Sequence, residues 1–475
     1  MTNPGIHQAV REGAGEPEAP AVVARGRTWT YRELLEAADR VADRLGHRRL
    51  TGAAVTAHVS DPTAATVLTL SCDLAGIPLI HRDPATPGAP EGPTVCDSTA
   101  GLPDTTEALC TDPPMWLHDR ERPRVPYELP DRSQIFLTSG STGTPVGVVR
   151  SGDAVLADAR RVGAFLGYAP GSPVAVAAPP FHAYGFNYGL LAPLLHGAPV
   201  RHASPRSLPS QLARMVREIG ARTLIALPFH HGLLSRTGDN ALPALQDGLS
   251  SLRSAVSAGA PLGRGVAALI AERFDFTLYT CYGSSEAGAV TLTRAADTAD
   301  TSWIGSPLPG ISARVAELEG LSEGGELMLR SDQLAVGRLS RNGLDFLKRD
   351  ARGWYHTGDL AQIRPGTDGI QLLGRLGSVI NVAGKKVNAR EVEQVLARHP
   401  AVTDNHVTAA DDRTHGQVPV ALVAVSGAVT TEDLVHWCRD HLAPHQVPRK
   451  IALLDAIPRS STGKVLRSDV EGLLR

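Results

Sequence analysis

Seven consecutive residues, Thr138 to Thr144 (TSGSTGT), are all glycines or hydroxyl-bearing side chains, and a short apolar run, Ile135, Phe136 and Leu137, precedes them. A buried strand that empties into such a turn exposes backbone N–H groups. Successive amides aimed into a concavity act as partial positive charges that can wrap an anion such as phosphate. A Walker-type loop also needs a lysine at its end, but Pro145 and Val146 stand there instead. The G-x-S-x-G spacing of a serine nucleophile elbow is missing as well. Taken alone, the run has the composition of an ordinary surface turn. Four more short stretches follow in order, each bearing a charge or a hydroxyl: YGSSE (282–286), YHTGD (355–359), Gly374-Arg375 and STGK (461–464).

In this combination and order, the motifs resemble those of the adenylate-forming superfamily, which includes acyl- and aryl-CoA synthetases, nonribosomal adenylation domains and luciferases. The likeness runs from about residue 28 to the last residue and is greatest to an acyl- or aryl-acid:CoA ligase. It implies that ATP activates a carboxylic acid to an acyl-adenylate with release of pyrophosphate, after which the acyl group passes to an acceptor, usually a thiol. By this resemblance Thr138, Ser139, Gly140, Ser141, Thr142 and Gly143 cradle the β- and γ-phosphates. Tyr282 offers a flat face to adenine, with Gly283 beside both nucleotide and acyl group. Ser285 brings a hydroxyl to the α-phosphate, and Glu286 is a hard oxygen ligand for Mg2+. Gly259, Ala260 and Pro261 match the turn lining the adenine and acyl pockets. Asp359 matches the carboxylate that binds the ribose hydroxyls, and Arg375 the arginine beside it. Lys464 matches a lysine carried into the site by a small lid domain, where it offsets charge that peaks in the transition state. Lys464, Glu286 and Ser285 are thus the expected catalytic set. In PPFHAYGF (179–186), His182 and Tyr184 are expected at the acyl pocket, although a histidine among aromatics is as often a core imidazole.

Departures from the pattern refine these expectations. Val146 replaces the usual loop lysine, with Arg150 as a substitute cation. Gly377 stands at the expected hinge, and Asn381 where a lysine is usual, with Lys385 and Lys386 nearby. His230 and His231 lack the aspartate of an acyl-transfer motif and are expected to line a pocket or serve structure. No acidic residue occurs in FHAYGFNYGLL, where amino-acid-activating relatives place an aspartate, so the acid is expected to be uncharged, aromatic or medium aliphatic. The chain ends soon after Lys464, so the acceptor is expected to be separate: coenzyme A, a free-standing carrier protein, or an amine or other nucleophile. The rival class is a degenerate nucleotide-binding regulatory protein; Glu286, Asp359, Arg375 and Lys464 argue against it.

These groups must be held by regular elements. TYRELLEAADRVADRL reads as a helix with Thr30 and Glu33 as a capping box and Leu34, Ala38, Val41 and Leu45 on one face. DAVLADARRVGAFLG is a second, with Val155, Ala159, Val162 and Leu166 inward. VAVAAP, TLIALP, LRSAVSAGAPL and FTLYTCYG are short strands alternating with helices, the pattern of an α/β fold. The expectation is a large N-terminal α/β domain of mixed sheets flanked by helices (1–374) and a small mobile α+β lid (375–475). In the lid, Asn388 and Glu391 open a helix, strands run near 404–409 and 419–425, and TTEDLVHWCRDHL is a second helix. Residues 1–20 read as a loose leader. Of 475 residues, 42% are hydrophobic, enough for a sizeable core, and 47 basic residues against 49 acidic ones give a net charge of −2. Such a balance carries no electrostatic footprint for nucleic acid or an anionic membrane. Five scattered cysteines fit a reducing compartment, and no apolar h-region or membrane-length run occurs, so a cytoplasmic protein is expected. The oligomeric state is left open.

Overall fold

The computed structural model describes residues 4–47, 54–86, 92–98, 106–118, 129–138, 146–263, 265–297, 302–318, 324–340, 342–382, 385–412, 416–458 and 465. The chain forms two compact units. One comprises Met1–Ala299, Leu308–Ile311 and Ser331–Lys348; the other comprises Asp300–Pro307, Ser312–Arg330 and Arg349–Arg475.

The first unit holds two sheets. In the eight-stranded one, Thr277–Ser284, Ser254–Ser257, Thr223–Ala226, Val174–Val176, Val200–His202 and Pro20–Ala24 run parallel, with Gly288–Arg294 and Arg27–Thr30 as antiparallel edges. All three residues of Val174–Val176 and all four of Thr223–Ala226 are buried, as expected of parallel strands covered on both faces. The nine-stranded sheet contains the hairpin Gln134–Thr138 and Val146–Arg150, whose outer strand pairs with Gly337–Ser340. The expected α/β class is therefore observed.

Several sequence readings are realised in detail. The helix Tyr31–His47 starts with the expected capping box: the Thr30 amide donates to Glu33 Oε2 at 2.9 Å, and the Glu33 amide donates to Thr30 Oγ1 at 3.2 Å. Its inward face, Leu34, Ala38, Val41 and Leu45, is at most 1% exposed. The helix Gly152–Leu166 buries Val155, Ala159 and Val162 completely, while Leu166 is only half-buried.

The loose leader is corrected. Ile6–Gly13 is a helix with Ile6, Ala9 and Val10 in the core, and Pro20–Ala24 is a sheet strand. Gly5 stands at its N-cap and lends no side chain. The cap comes from Asp73, whose Oδ2 accepts from the His7 amide at 2.9 Å.

The second unit contains an antiparallel five-stranded sheet in the order Trp303–Gly305, Ile370–Arg375, Tyr355–Ile363, Gly325–Arg330, Ser312–Glu317. It also contains a second sheet of Lys385–Asn388, Val379–Val382, Gly416–Val425 and Val402–Asp412, with Lys450–Leu454 added in parallel. The helices Ala389–Ala397 and Thr431–His441 share a core with this sheet through Val392, Leu396, Leu434 and Cys438. Asn388 caps the first of them, accepting from the Arg390 amide at 3.0 Å, and Thr430 with Asp433 boxes the second. No helix among the described residues is long and apolar enough to cross a membrane.

Candidate active site

The strand Thr277–Ser284 turns through Ser285, Glu286 and Ala287 into Gly288–Arg294. Glycine is required at two points of this hairpin. A Cβ on Gly283 would lie 2.2 Å from the Gly288 carbonyl oxygen. Gly288 has φ +67°, and its Cβ would lie 2.4 Å from Asp158 Oδ2. Ser284 Oγ accepts from the Ala287 amide at 3.1 Å, tightening the turn. The Ala335 amide donates to the Glu286 carbonyl at 2.8 Å, and the Val336 amide to the Val149 carbonyl at 2.8 Å. These bonds bring the turn beside the hairpin that leads out of the Thr138–Thr144 run.

Beneath the turn lies a buried polar network. Arg150 and Asp158, both with side chains 0% exposed, pair at 2.9 Å. Arg150 Nη2 also donates to the carbonyls of Ala154 at 3.2 Å and Gln333 at 3.0 Å. Asp158 Oδ2 accepts from Asn187 Nδ2 at 2.5 Å, and its Oδ1 from the Ala289 amide at 3.1 Å. Gln333 Nε2 donates to the carbonyls of Ala287 and Ala289, both at 2.6 Å. The network holds the flank of the turn that carries Ser285 and Glu286. Arg150 as a substitute phosphate cation is thereby corrected: its guanidinium is committed inside the core.

Glu286 keeps its side chain only 15% exposed, and its Oε1 accepts from Arg338 Nε at 2.9 Å and lies 2.8 Å from Arg338 Nη2. A carboxylate oxygen suits Mg2+, which takes one or two carboxylates and completes its shell with water and substrate phosphates. Among the described residues no group of three or more His, Cys, Asp or Glu could hold a metal by protein ligands alone. The donor set thus fits a magnesium ion shared with a nucleotide.

Other expected residues of the first unit gather at the carboxyl ends of the parallel strands, the usual ligand edge of such sheets. Ser257 lies in register with Thr280, so the Gly259–Pro261 turn and Tyr282 emerge at adjacent strand ends. Gly259 has φ +90°, a conformation that glycine accepts without strain. His182 stands at the N-cap of a short helix, its ring 4.8 Å from Phe181. Tyr184 donates to the carbonyls of Ala226 at 3.0 Å and Val256 at 2.9 Å, and burial pushes its hydroxyl well above its ordinary pKa. It is a neutral tether between two strand ends, and its ring packs edge-on against Tyr188 at 4.9 Å. His230 and His231 are fully buried; desolvation lowers both, His231 to about 4, and His231 Nε2 bonds the Val256 carbonyl at 3.3 Å. Theirs is the structural role. A depression of about 450 Å³ lined by Ser172, Thr223 and Ser254 lies at the opposite, amino ends of these strands, away from the candidate residues.

In the second unit, Asp359 and Arg375 face each other across paired strands, and Arg375 Nε donates to Asp359 Oδ1 at 2.7 Å. The T-G-D turn is held both from within and by the neighbouring strand, where Glu326 Oε1 accepts from the Gly358 amide at 3.1 Å. Gly358 has φ +74°, Thr357 Oγ1 donates to the Leu327 carbonyl at 2.8 Å, and the same oxygen accepts from the Asp359 amide at 3.0 Å. The Asp359 side chain is 8% exposed, that of Arg375 68%. Gly377 lies in a 3-10 turn, Leu376–Ser378, and a Cβ there would meet no atom within 4 Å. Gly374 is crowded instead: a Cβ there would lie 2.7 Å from Asn388 Oδ1, and Asn388 Nδ2 donates to the Leu373 carbonyl at 2.6 Å. Ser139, Gly140, Ser141, Thr142, Gly143 and Lys464 lie outside the described residues; Thr138, at the loop's entry, donates from Oγ1 to the Val146 carbonyl at 3.1 Å.

Sequence reasoning missed Ser284, Gln333 and Arg338, and it missed Asp158. For Asp158 a signal existed: an acid on the inward face of a helix, between Val155 and Val162.

Residues 47–337 match the AMP-binding enzyme family, and residues 391–464 match the AMP-binding enzyme C-terminal domain. Among curated proteins, a methyl-dioxo-octahydroindenyl-propanoyl:CoA ligase from Rhodococcus jostii is 28% identical over 71% of this chain, a match spanning 64% of that protein, just under two thirds of its length. A 2-succinylbenzoate–CoA ligase from Bacillus cytotoxicus is 28% identical over 73% of this chain and 71% of its own. Among solved structures, ATP-bound MatB from Rhodopseudomonas palustris superposes with a TM-score of 0.81 at 20% identity, covering 98% of both chains. The family match extends over more than half the chain and takes in the phosphate-type loop and the Glu286 turn, so this protein belongs to the AMP-binding enzyme family.

Proposed function

We propose that this enzyme activates an uncharged carboxylic acid, aromatic or medium aliphatic, with ATP and passes the acyl group to a thiol, coenzyme A first among the candidates. In the first step a carboxylate oxygen attacks the α-phosphorus, an O–P bond forms, the α–β anhydride bond breaks and pyrophosphate leaves. In the second, the acceptor sulfur attacks the acyl carbon, loses its proton, and AMP departs with the bond electrons.

The observation that carries this reading is the Glu286 turn, a nearly buried carboxylate fastened by backbone bonds beside the strand pair that leads out of the Ser/Thr/Gly run. Magnesium held by Glu286 and the phosphates would neutralise charge on the departing pyrophosphate. Ser285 binds the α-phosphate, and the turn beneath it stays fixed through the Arg150–Asp158–Gln333 network, so little reorganisation is needed as charge develops. Asp359, an acceptor-only group, holds the ribose hydroxyls while Arg375 fixes its orientation. Tyr282 and the Gly259–Pro261 turn flank the adenine, and His182 walls the acyl pocket. Lys464, on the 375–475 lid that pivots at Gly377, supplies the cation between carboxylate and α-phosphate.

The reading is tested by pyrophosphate release from ATP across a panel of carboxylic acids, with mass analysis of products with and without coenzyme A. Acid-dependent pyrophosphate and an acyl-CoA mass are expected. An amide product with added amines would move the acceptor from thiol to nitrogen. Folded protein that releases no pyrophosphate with any acid would refute the adenylating reading.

A further inference from the structure

The polyphosphate of ATP carries several negative charges at neutral pH, and one magnesium ion leaves part of them uncompensated. Val146 offers no cation at the loop's exit. Across the strands Gln134–Thr138, Val146–Arg150 and Gly337–Ser340 and the turn at Ser284–Gly288, the cationic side chains are Arg150 and Arg338. Arg150 is locked in the core. Arg338 is differently placed. It sits opposite Val148 in the antiparallel pairing, so its side chain leaves the sheet on the face that also bears Val146 and Thr138, which are themselves directly paired. Val146 is two residues from Val148, making it a diagonal neighbour of Arg338, at a spacing of about 7–8 Å that a long side chain spans. The Arg338 side chain is 51% exposed and already reaches Glu286 Oε1 at 2.8 Å.

We propose that Arg338 is the phosphate-binding cation of this enzyme, standing in from the adjacent strand for the lysine that position 146 lacks. The proposal rests on the adenylating reading above. A planar guanidinium can bind a carboxylate and a phosphate oxygen through different N–H groups. Held by Glu286, Arg338 is oriented before the nucleotide arrives, and it would meet the β- and γ-phosphates beside the carboxylate that would hold magnesium. AMP has neither phosphate, so Arg338 contributes to ATP binding and not to AMP binding.

The test is equilibrium calorimetry of the full-length protein with magnesium and a non-hydrolysable α,β-methylene ATP, set against AMP. A charge-assisted hydrogen bond corresponds to about tenfold or more in affinity. Arg338→Ala is therefore expected to weaken the ATP analogue by at least about that factor while AMP binding stays within about twofold. Adding Val146→Lys should recover affinity in the Arg338→Ala background and gain much less in the wild type, since the two cations serve the same phosphates. Unchanged affinity for the ATP analogue in Arg338→Ala overturns the proposal. So does an equal loss for both nucleotides, which would mean that the arginine only shapes the Glu286 turn, and so does an equal gain from Val146→Lys in both backgrounds. Wild-type protein that binds neither nucleotide would refute the adenylating reading itself, and this proposal with it; retained AMP binding with any of the other adverse results would refute the proposal alone.

Discussion

Arg150 and Arg338 leave the same sheet face, yet truncating them should produce opposite phenotypes. Arg150→Ala removes a cation whose side chain and whose partner Asp158 are both 0% exposed. It leaves the Asp158 carboxylate in the core with, among the described residues, Asn187 and the Ala289 amide as donors. The carbonyls of Ala154 and Gln333 each lose a side-chain donor as well. Breaking one side of a buried ion pair costs about 3–5 kcal/mol, and the vacated volume adds to that. The expected result is a loss of at least about 3 kcal/mol in urea-unfolding free energy. In the protein that remains folded, the ratio of ATP to AMP affinity should stay as in the wild type. Replacing both partners by apolar residues, Arg150→Met with Asp158→Leu, should recover part of the loss, because no uncompensated charge remains. A stable Arg150→Ala protein that has lost ATP affinity and kept AMP affinity would refute this reasoning and return Arg150 to the phosphates.

Lys464→Ala should lower adenylation about 10²–10³-fold, the scale of removing one preorganised charge-stabilising donor, with ATP binding little changed; normal pyrophosphate exchange would remove Lys464 from the chemistry. Asp359→Asn replaces an acceptor-only group, so AMP should bind about tenfold or more weaker and the preference for ATP over its 2′,3′-dideoxy analogue should largely vanish; a retained preference would place ribose recognition elsewhere. Buried His81 and His231 are each held down to about 4 by desolvation. They stay neutral in the fold while the unfolded chain protonates near 6.5, so stability is full above that pH and falls as pH drops from 6.5 toward 4, approaching roughly 2–3 kcal/mol per pH unit for the pair; a flat urea midpoint across that window would contradict it. Gly377→Pro fixes φ near −65° at a position with open space around it, so the protein should fold with one half-reaction impaired and the other kept; equal rates in both would move the pivot away from Gly377.

What could be read from the sequence was local. Thr30 with Glu33, Thr430 with Asp433, and Asn388 with the Arg390 amide are caps made within three residues; the first was read from its spacing and Asn388 was read as a helix start, whereas the Thr430 box was not singled out. The Asp359 turn is only partly of this kind: Thr357 bonds the Asp359 amide from inside the motif, but Thr357 and Gly358 are also tied to Leu327 and Glu326 on the neighbouring strand. The N-terminal helix was misread because its cap is not local: Asp73 reaches the His7 amide from 66 residues away. A scan for serine, threonine, aspartate or asparagine just before a helix cannot find such a donor–acceptor pair. The same limit hid Gln333, whose side chain holds Ala287 and Ala289 from another part of the chain. Tyr184 shows a third case. Its position within PPFHAYGF was readable, but its hydroxyl's commitment to two strand-end carbonyls depends on the order of strands in the sheet.

That division between local and distant explains why the loop appeared deficient. A motif is read along the chain, and along the chain position 146 is simply a lost lysine. A phosphate, however, meets a sheet face, and a face is assembled from neighbouring strands. Pairing of Gly337–Ser340 with Val146–Arg150 puts Arg338 on the face of Val146. The backbone bond from Ala335 to Glu286 brings the Glu286 carboxylate to the same edge. Arg150, four residues on from Val146 and on the same face, is held in the core instead by an aspartate on the following helix. What separates the two arginines is where they are held: Arg150 is bound to a fully buried carboxylate and two carbonyls, whereas Arg338 counts among its partners a carboxylate at the site's own edge. Charge lost from a motif can be restored by any strand that shares its face.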